Sequence, residues 1–402
     1  TFTQTGTIRD EDGHLESSWE LVYADENASN APRNADMIIQ QDAYGNIVSV
    51  CGSNETQNED INPEYFTENW KDNRKPYNTH QVEDRNVNMI SFRGLMNLHD
   101  GNGELIRVFD DSFIWNDDGS ITSTNSVEYF QAYDGCSKGY KVRTTSKDWA
   151  DGTTSESIGD FTEPDGINTK EHYIRNEDGT EETHIETRKD GSLIRIIELN
   201  HVQNADGGTT STESAEYFQD YEDYLKGYKM NQITKTRADG TTSESIGDFT
   251  EPDGINTKER SMQNEDGTGE DYVEKWKDGR KQYDGHWLYD QNENPISMQE
   301  VIYHYDDDGA LIRILENEFI WNDDGGTTLI NAAELFQDYE GSSKGYKMKQ
   351  IKKDRADGTT YEFHGEYWYP DGRYSKAGFT TNANGARENY SEEWKDGKKV
   401  SK

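Results

Sequence analysis

The residues best suited to chemistry in this chain are carboxylates beside Asp-Gly pairs. The acidic turn at residues 306–309 places carboxylates in series, as calcium-binding loops do. The loop register fails, because its first and closing ligand positions would fall on His304 and Leu315. We interpret Asp-Gly as turn chemistry and predict no cofactor. Weak calcium or magnesium binding is the alternative, with candidate ligands Asp306, Asp307 and Asp308.

Aromatic side chains form a second candidate site, since their rings can stack on sugars. The candidates are Trp115, Trp321, Tyr367, Trp368 and Tyr369. They predict a carbohydrate- or extended-ligand-binding module. The alternative is that these rings cover a thin sheet or pack against a neighbouring repeat copy.

Catalytic patterns are missing from the sequence. The nine histidines form no H-E-x-x-H pair, and no G-x-S-x-G, phosphate-binding loop or dinucleotide fingerprint occurs. We therefore predict no catalytic residues, and a polysaccharide-active enzyme is the most remote reading. Cys51 and Cys136 do not occupy matching repeat positions, so we interpret them as incidental thiols that pair only if the fold brings them together.

Composition limits the fold and the partners. Of 402 residues only 31% are apolar and 30% are charged, which is too little apolar surface for a thick core. The 24 Tyr, 13 Phe and 9 Trp argue against disorder. A net charge of −39 excludes nucleic acid as a direct partner and favours cations or a basic protein. No apolar run is long enough to span a bilayer, so no membrane insertion is expected.

Internal repetition is the dominant signal. Residues 151–171 recur letter for letter at 239–259, a shift of 88, and GYK at Gly139, Gly227 and Gly345 gives shifts of 88 and 118. The elementary unit is therefore about 30 residues. This register predicts a lead-in or cap at 1–20, then copies at 21–138, 139–226 and 227–344, and a partial copy at 345–402.

The unit is predicted to be a β-hairpin. Asp-Gly pairs favour type I′ turns, and the runs between them alternate in polarity. Residues 211–226 could form a short helix before Gly227, but matching copies favour strand and turn. We predict an all-β, elongated antiparallel meander, as an open twisted sheet or a solenoid, with little or no helix.

Three segments resemble a known repeat class: WKDGRK at 276–281, YDGHW at 283–287 and EYWYPDGRY at 366–374. They are similar to MORN and YwqK-type β-hairpin repeats. This resemblance implies a scaffold or binding surface and supplies no catalytic residues.

The leading hypothesis is a non-enzymatic structural or interaction protein, a subunit of a filament, matrix or surface assembly or an extended scaffold. Its predicted partners are other copies of itself or a basic protein, with carbohydrate as the alternative. The chain begins at Thr1, which fits removal of a targeting peptide. We therefore expect an extracellular or cell-surface location, with the cytoplasm as the alternative.

Overall fold

The structure, a computed structural model, describes residues 2–9, 15–23, 37–42, 46–54, 64–71, 74–84, 88–150, 152 and 154–401. These residues form twenty-eight β-strands and no helix. They divide into two compact units, Thr1–Glu198 and Leu199–Lys402. The described part of the chain contains no helix that is long and apolar enough to cross a bilayer.

The strands of unit 1 are β1 Phe2–Arg9, β2 Leu15–Tyr23, β3 Met37–Asp42, β4 Ile47–Asn54, β5 Glu64–Lys71, β6 Arg74–Glu83, β7 Met89–His99, β8 Leu105–Trp115, β9 Ile121–Tyr129, β10 Lys141–Asp148, β11 Ser155–Thr162, β12 Ile167–Arg175 and β13 Glu181–Lys189. Strand β14, Ser192–Gln203, spans the boundary. The strands of unit 2 are β15 Thr209–Tyr217, β16 Lys229–Thr236, β17 Thr242–Thr250, β18 Ile255–Gln263, β19 Gly269–Lys277, β20 Arg280–Tyr289, β21 Pro295–Tyr305, β22 Leu311–Trp321, β23 Thr327–Leu335, β24 Lys347–Asp354, β25 Thr360–Trp368, β26 Arg373–Thr381, β27 Arg387–Lys395 and β28 Lys398–Ser401.

Each unit is an antiparallel meander. In unit 2, β15 pairs with β16, β16 with β17, and so on to β27 with β28. Among the described residues, strand contacts run only between strands consecutive in the chain. The predicted all-β meander of hairpins is therefore confirmed.

The Asp-Gly turns fall into two geometries. Asp190, Asp278 and Asp396 adopt positive φ together with the glycine that follows, as a type I′ turn requires. At Asp178-Gly179 only the glycine has positive φ, and the Gly179 amide donates to the Asn176 carbonyl at 3.0 Å. Most Asp-Gly pairs follow this second pattern. The prediction of a type I′ turn at every Asp-Gly pair is therefore wrong. A type I turn closed by a left-handed glycine suits a three-residue loop.

The aspartate side chain stabilises the second turn geometry. The Asp178 carboxylate accepts hydrogen bonds from the Thr180 amide at 3.0 Å and the Thr180 hydroxyl at 2.6 Å. These bonds hold the pKa of Asp178 below its usual value, with the hydroxyl as the largest cause. The carboxylate therefore closes its own turn, and Asp239, Asp266 and Asp357 do the same through Thr241, Thr268 and Thr359.

Among the residues that the structure describes, full burial of apolar side chains is confined to small clusters. The buried apolar side chains are Val50, Ile106, Tyr129, Ile194, Ala215, Tyr217 and Leu335. All but Val50 lie at or near a loop that recurs with shifts of 88 and 118 and is closed by backbone bridges: Tyr133 with Cys136, Tyr221 with Tyr224, and Tyr339 with Ser342. Residues 211–226 are thus strand and turn, as predicted.

Candidate functional site

The candidate site is one face of the unit 2 sheet, because strand register sorts its residues into two faces of different chemistry. Directly opposed residues of an antiparallel sheet share a face. One row on this face reads Met230, Phe249, Thr257, Lys275, Tyr283, Ile302, Leu315, Ala333, Met348 and Tyr367. A parallel row reads Ser245, Ser261, Asp271, Trp287, Met298, Phe319, Leu329, Lys352, Phe363 and Phe379. Between these two rows, on the same face, lies a central row that includes the polar residues Glu259, Glu300, Asn317, Asn331 and Gln350. We call this surface the apolar face because its large apolar side chains lie in the two outer rows.

The opposite surface, the charged face, is dominated by ion pairs. Its central row reads Asp248, Lys258, Glu274, Asp284, Val301, Glu316, Ala332, Lys349, Glu366 and Lys376. Lys281 bridges Glu274 at 2.7 Å and Asp284 at 2.8 Å. Hydrogen bonds, first from Lys376 and then from His364 and Tyr374, lower the pKa of Glu366 to about 2. Internal ion pairs therefore offset part of the negative charge of this face.

Glycines shape the apolar face between its two rows. A Cβ at Gly247 would collide with the Phe249 ring, 2.7 Å from Cζ, and one at Gly285 would lie 2.7 Å from Cζ3 of Trp287. Each ring therefore lies across the glycine two residues before it and covers exposed backbone. Tyr367 covers Gly365 in the same way. Each ring therefore has one face against its glycine, and Phe249 and Trp287 are half-buried.

The predicted aromatic residues of the last copy separate onto the two faces. Tyr367 lies on the apolar face, and its hydroxyl accepts a hydrogen bond from Gln350 at 3.0 Å. Tyr369 packs on Tyr346 with ring centroids 5.6 Å apart. Trp368 points to the charged face, as alternation requires. The structure therefore does not bring these three residues into one strip.

Trp368 belongs instead to a row of rings across three strands. It stacks on Tyr374 at 5.2 Å, and Tyr374 packs on Trp394 at 5.2 Å. The Lys399 ammonium lies 5.6 Å from the Trp394 ring and closes one end of the row. Stacked rings cover each other and stabilise the sheet. A role for Trp368 in sugar binding stays a prediction.

Trp115 and Trp321 end equivalent strands in units 1 and 2. Trp115 lies 6.5 Å from Phe113, and Trp321 lies 4.5 Å from Phe319. Both indoles remain more than a third exposed. Phe113 also lies 6.3 Å from Phe92, so Trp115 ends a row of three rings, whereas Trp321 packs on Phe319.

Arginines close the recurring loops, a role that the sequence analysis did not assign. The Arg313 guanidinium lies 4.6 Å above the Tyr339 ring and 3.5 Å from Glu340. Arg107, 206 residues earlier, lies 5.2 Å above Tyr133. The sequence signal for this role was the repeated G-x-L-I-R strand followed by a tyrosine-rich loop. A cation–π contact needs a cation and an aromatic ring, and these two segments supply them.

The acidic turn has a structural role. Asp306 accepts from the Ala310 amide at 2.7 Å and from the Gln337 side chain at 2.9 Å, which lowers its pKa, with Gln337 as the largest cause. Within the described part of the chain, no group of three or more His, Cys, Asp and Glu residues could hold a metal ion. Asp307 and Asp308 therefore join no such group. Cys51 and Cys136 are both free thiols.

Comparisons with known proteins leave the family open. No family model matches the chain, and no curated protein matches it. The chain is similar to parts of two solved complexes, the crystal structures of TcdB2-TccC3-Cdc42 and TcdB2-TccC3-TEV. The identities are 8% and 9%, the matches cover 95% and 97% of this chain but 33% and 32% of those chains, and both TM-scores are 0.10. The chain thus spans about a third of their length, and TM-scores this low do not show a shared fold. The resemblance to MORN and YwqK-type repeats stays a prediction.

Proposed function

We propose that the chain is a non-enzymatic structural and interaction protein in which a second copy of the chain covers the part of the apolar face of unit 2 that carries Tyr283, Ile302, Leu315 and Met348. The observation that supports this proposal is the uncovered apolar row. Tyr283, Ile302, Leu315 and Met348 are half-buried in the sheet. Strand contacts in unit 2 run only between chain neighbours, so no second layer of described residues lies over this row.

The physical reason is the general behaviour of two-faced sheets. A sheet with one apolar face is stable when that face is packed against another layer. Large exposed apolar patches on soluble proteins mark sites of association. The charged face opposes association through like charge, although its internal ion pairs reduce that repulsion. Association is therefore expected through the apolar face and should strengthen with added salt, because salt screens the net charge of −39.

Sedimentation velocity of the purified chain tests the proposal. Ile302→Lys places a charge in the apolar row, whereas Val301→Lys places the same charge on the other face, between Asp284 and Glu316. We expect the wild type and Val301→Lys to form dimers or larger species, and Ile302→Lys to sediment as a single chain. A single-chain wild type at high protein and salt concentration would overturn the proposal. So would identical behaviour of the two variants.

A further inference from the structure

A groove crosses β16–β20 on the apolar face of unit 2. It consists of two adjoining hollows of about 420 and 450 Å³ that share Ser261, Asp271 and Tyr289. Small side chains make its floor, since Ser245 pairs with Ser261 and Ser261 with Asp271 across the strands. Each hollow is large enough for a long side chain.

Two flat aromatic rings flank the groove. Phe249 lies across Gly247 on β17, and Trp287 lies across Gly285 on β20. Both rings line the same hollow. The two glycines that these rings cover, Gly247 and Gly285, lie in one row across the sheet. Three strand spacings of about 4.8 Å separate β17 from β20, so the two rings lie about 14 Å apart.

Several of the residues that line the groove differ from the equivalent residues of the copy 88 residues earlier. Residues 239–259 repeat residues 151–171 without a change, and the sequences diverge immediately afterwards. Tyr173 and Glu181 occupy the positions equivalent to Ser261 and Gly269. A hydrogen bond to Glu181 adds to the effect of burial in raising the pKa of Tyr173, so these two side chains meet across the sheet in the earlier copy. Their loss in the later copy opens the groove.

The carboxylates of the groove differ from those of the charged face. Glu259 and Asp271 line the hollows, and no described residue forms a salt bridge with either. On the opposite face of the same strands, Glu244 is paired with both Lys235 and Arg260, at 2.6 and 2.7 Å. The groove therefore combines negative charge with aromatic surface, and the cation among its lining residues, Arg260, is already paired with Glu244.

We propose that this groove binds an extended lysine- or arginine-containing segment of a partner protein. Ammonium and guanidinium groups pair with carboxylates and bind the faces of Trp and Phe rings. An extended peptide rises about 3.4 Å per residue, so side chains four residues apart are spaced about 14 Å, as the two rings are. This inference rests on the proposed interaction function and gives it a second, basic partner.

A synthetic peptide with two lysines four residues apart in a Gly/Ser background is the probe. Binding is measured by isothermal titration with the full chain, supported by indole fluorescence. We expect binding that weakens as salt rises. Ser261→Tyr restores the residue of the earlier copy, so it should fold and weaken binding at least about tenfold. The Asp271 carboxylate accepts a hydrogen bond from the Tyr289 hydroxyl. Asp271→Asn keeps that acceptor and should weaken binding several-fold with a smaller salt dependence. Ser297→Tyr, on the charged face of β21, should bind as the wild type does.

Three outcomes would overturn the groove proposal: no binding of the peptide, equal binding by Ser261→Tyr and Ser297→Tyr, or equal binding of a peptide with glutamate in place of lysine. Binding of a neutral oligosaccharide in place of the peptide would assign the groove to carbohydrate instead. Failure here is distinguishable from failure of the proposed function, because the comparison of Ile302→Lys with Val301→Lys does not involve the groove.

Discussion

Gly378→Ala should destabilise the end of unit 2 because no room exists for one methyl group. Gly378 lies directly between His364 on β25 and Tyr390 on β27. The Tyr390 hydroxyl reaches over the glycine to hydrogen-bond with His364. A Cβ at Gly378 would lie 2.7 Å from that hydroxyl oxygen and well inside contact with the Phe363 carbonyl oxygen. A backbone carbonyl cannot rotate away, so β25 and β26 would have to separate.

The size of the effect follows from three terms. Overpacking costs about 1–3 kcal/mol, and loss of the Tyr390–His364 hydrogen bond costs about 1 kcal/mol. The smaller entropy of an unfolded alanine offsets about 0.4–1 kcal/mol. The free energy of unfolding should therefore fall by about 2 kcal/mol. For a unit of about 200 residues, this lowers Tm by about 4–8 °C.

Thermal unfolding followed by circular dichroism measures this change, and hydrogen exchange of β25–β27 localises it. Gly269→Ala is the matched control, since its Cβ would have only ordinary contacts, the nearest at 3.6 Å to the Met262 carbonyl oxygen. We expect that control to leave Tm unchanged or to raise it slightly. Equal Tm values for the two variants would refute the steric argument.

Three further predictions concern other parts of the chain. Arg313→Met removes the cation above Tyr339, worth about 0.5–1 kcal/mol, and should speed hydrogen exchange of residues 336–345; unchanged exchange would show that the arginine does not hold the loop. The pKa of Glu366 is about 2, below the usual 4.5, so its stabilisation is complete above pH 4.5 and is lost as pH falls toward 2. Between pH 7 and pH 3 the wild type should therefore lose roughly 1 kcal/mol more stability than Glu366→Gln in urea unfolding, after discounting for solvent screening, and parallel profiles would contradict this. Denatured protein prepared without reductant should titrate two thiols, Cys51 and Cys136, and a count of zero would mean that they pair.

The meander was predictable because hairpins are local. Alternation of polarity and glycine at turns are short-range signals, and they place the strands without any knowledge of distant contacts. The turn geometry was less accessible. Asp178-Gly179 and Asp190-Gly191 look alike as dipeptides, yet only Asp190 has positive φ. Asn176 and Thr180, which bracket the first pair through backbone and side-chain hydrogen bonds, make the difference.

The aromatic candidates were harder to place because a sequence gives the face of a residue but not its neighbours across the sheet. Alternation separates Trp368 from Tyr367 and Tyr369, and the structure shows the same separation. Only strand register could reveal that Trp368, Tyr374 and Trp394 lie in one row, since 26 residues of sequence separate the first from the last. This row of rings could therefore be recognised only from the pairing of the strands, and the amino-acid composition does not reveal it.

Repetition itself supplies the strongest argument for where function lies in such a chain. Features that recur between copies, such as the arginine-closed loops at Arg107 and Arg313, serve the stability that the copies share. Residues 239–259 are identical to residues 151–171, but the residues that follow differ between the two copies. The stability that the copies share does not explain this difference. Ser261 and Gly269, in place of Tyr173 and Glu181, exchange a filled surface for an open one whose carboxylates, Glu259 and Asp271, form no salt bridge with any described residue. Loss of packing and of charge pairing at one site costs stability, and binding a cationic segment there would restore both.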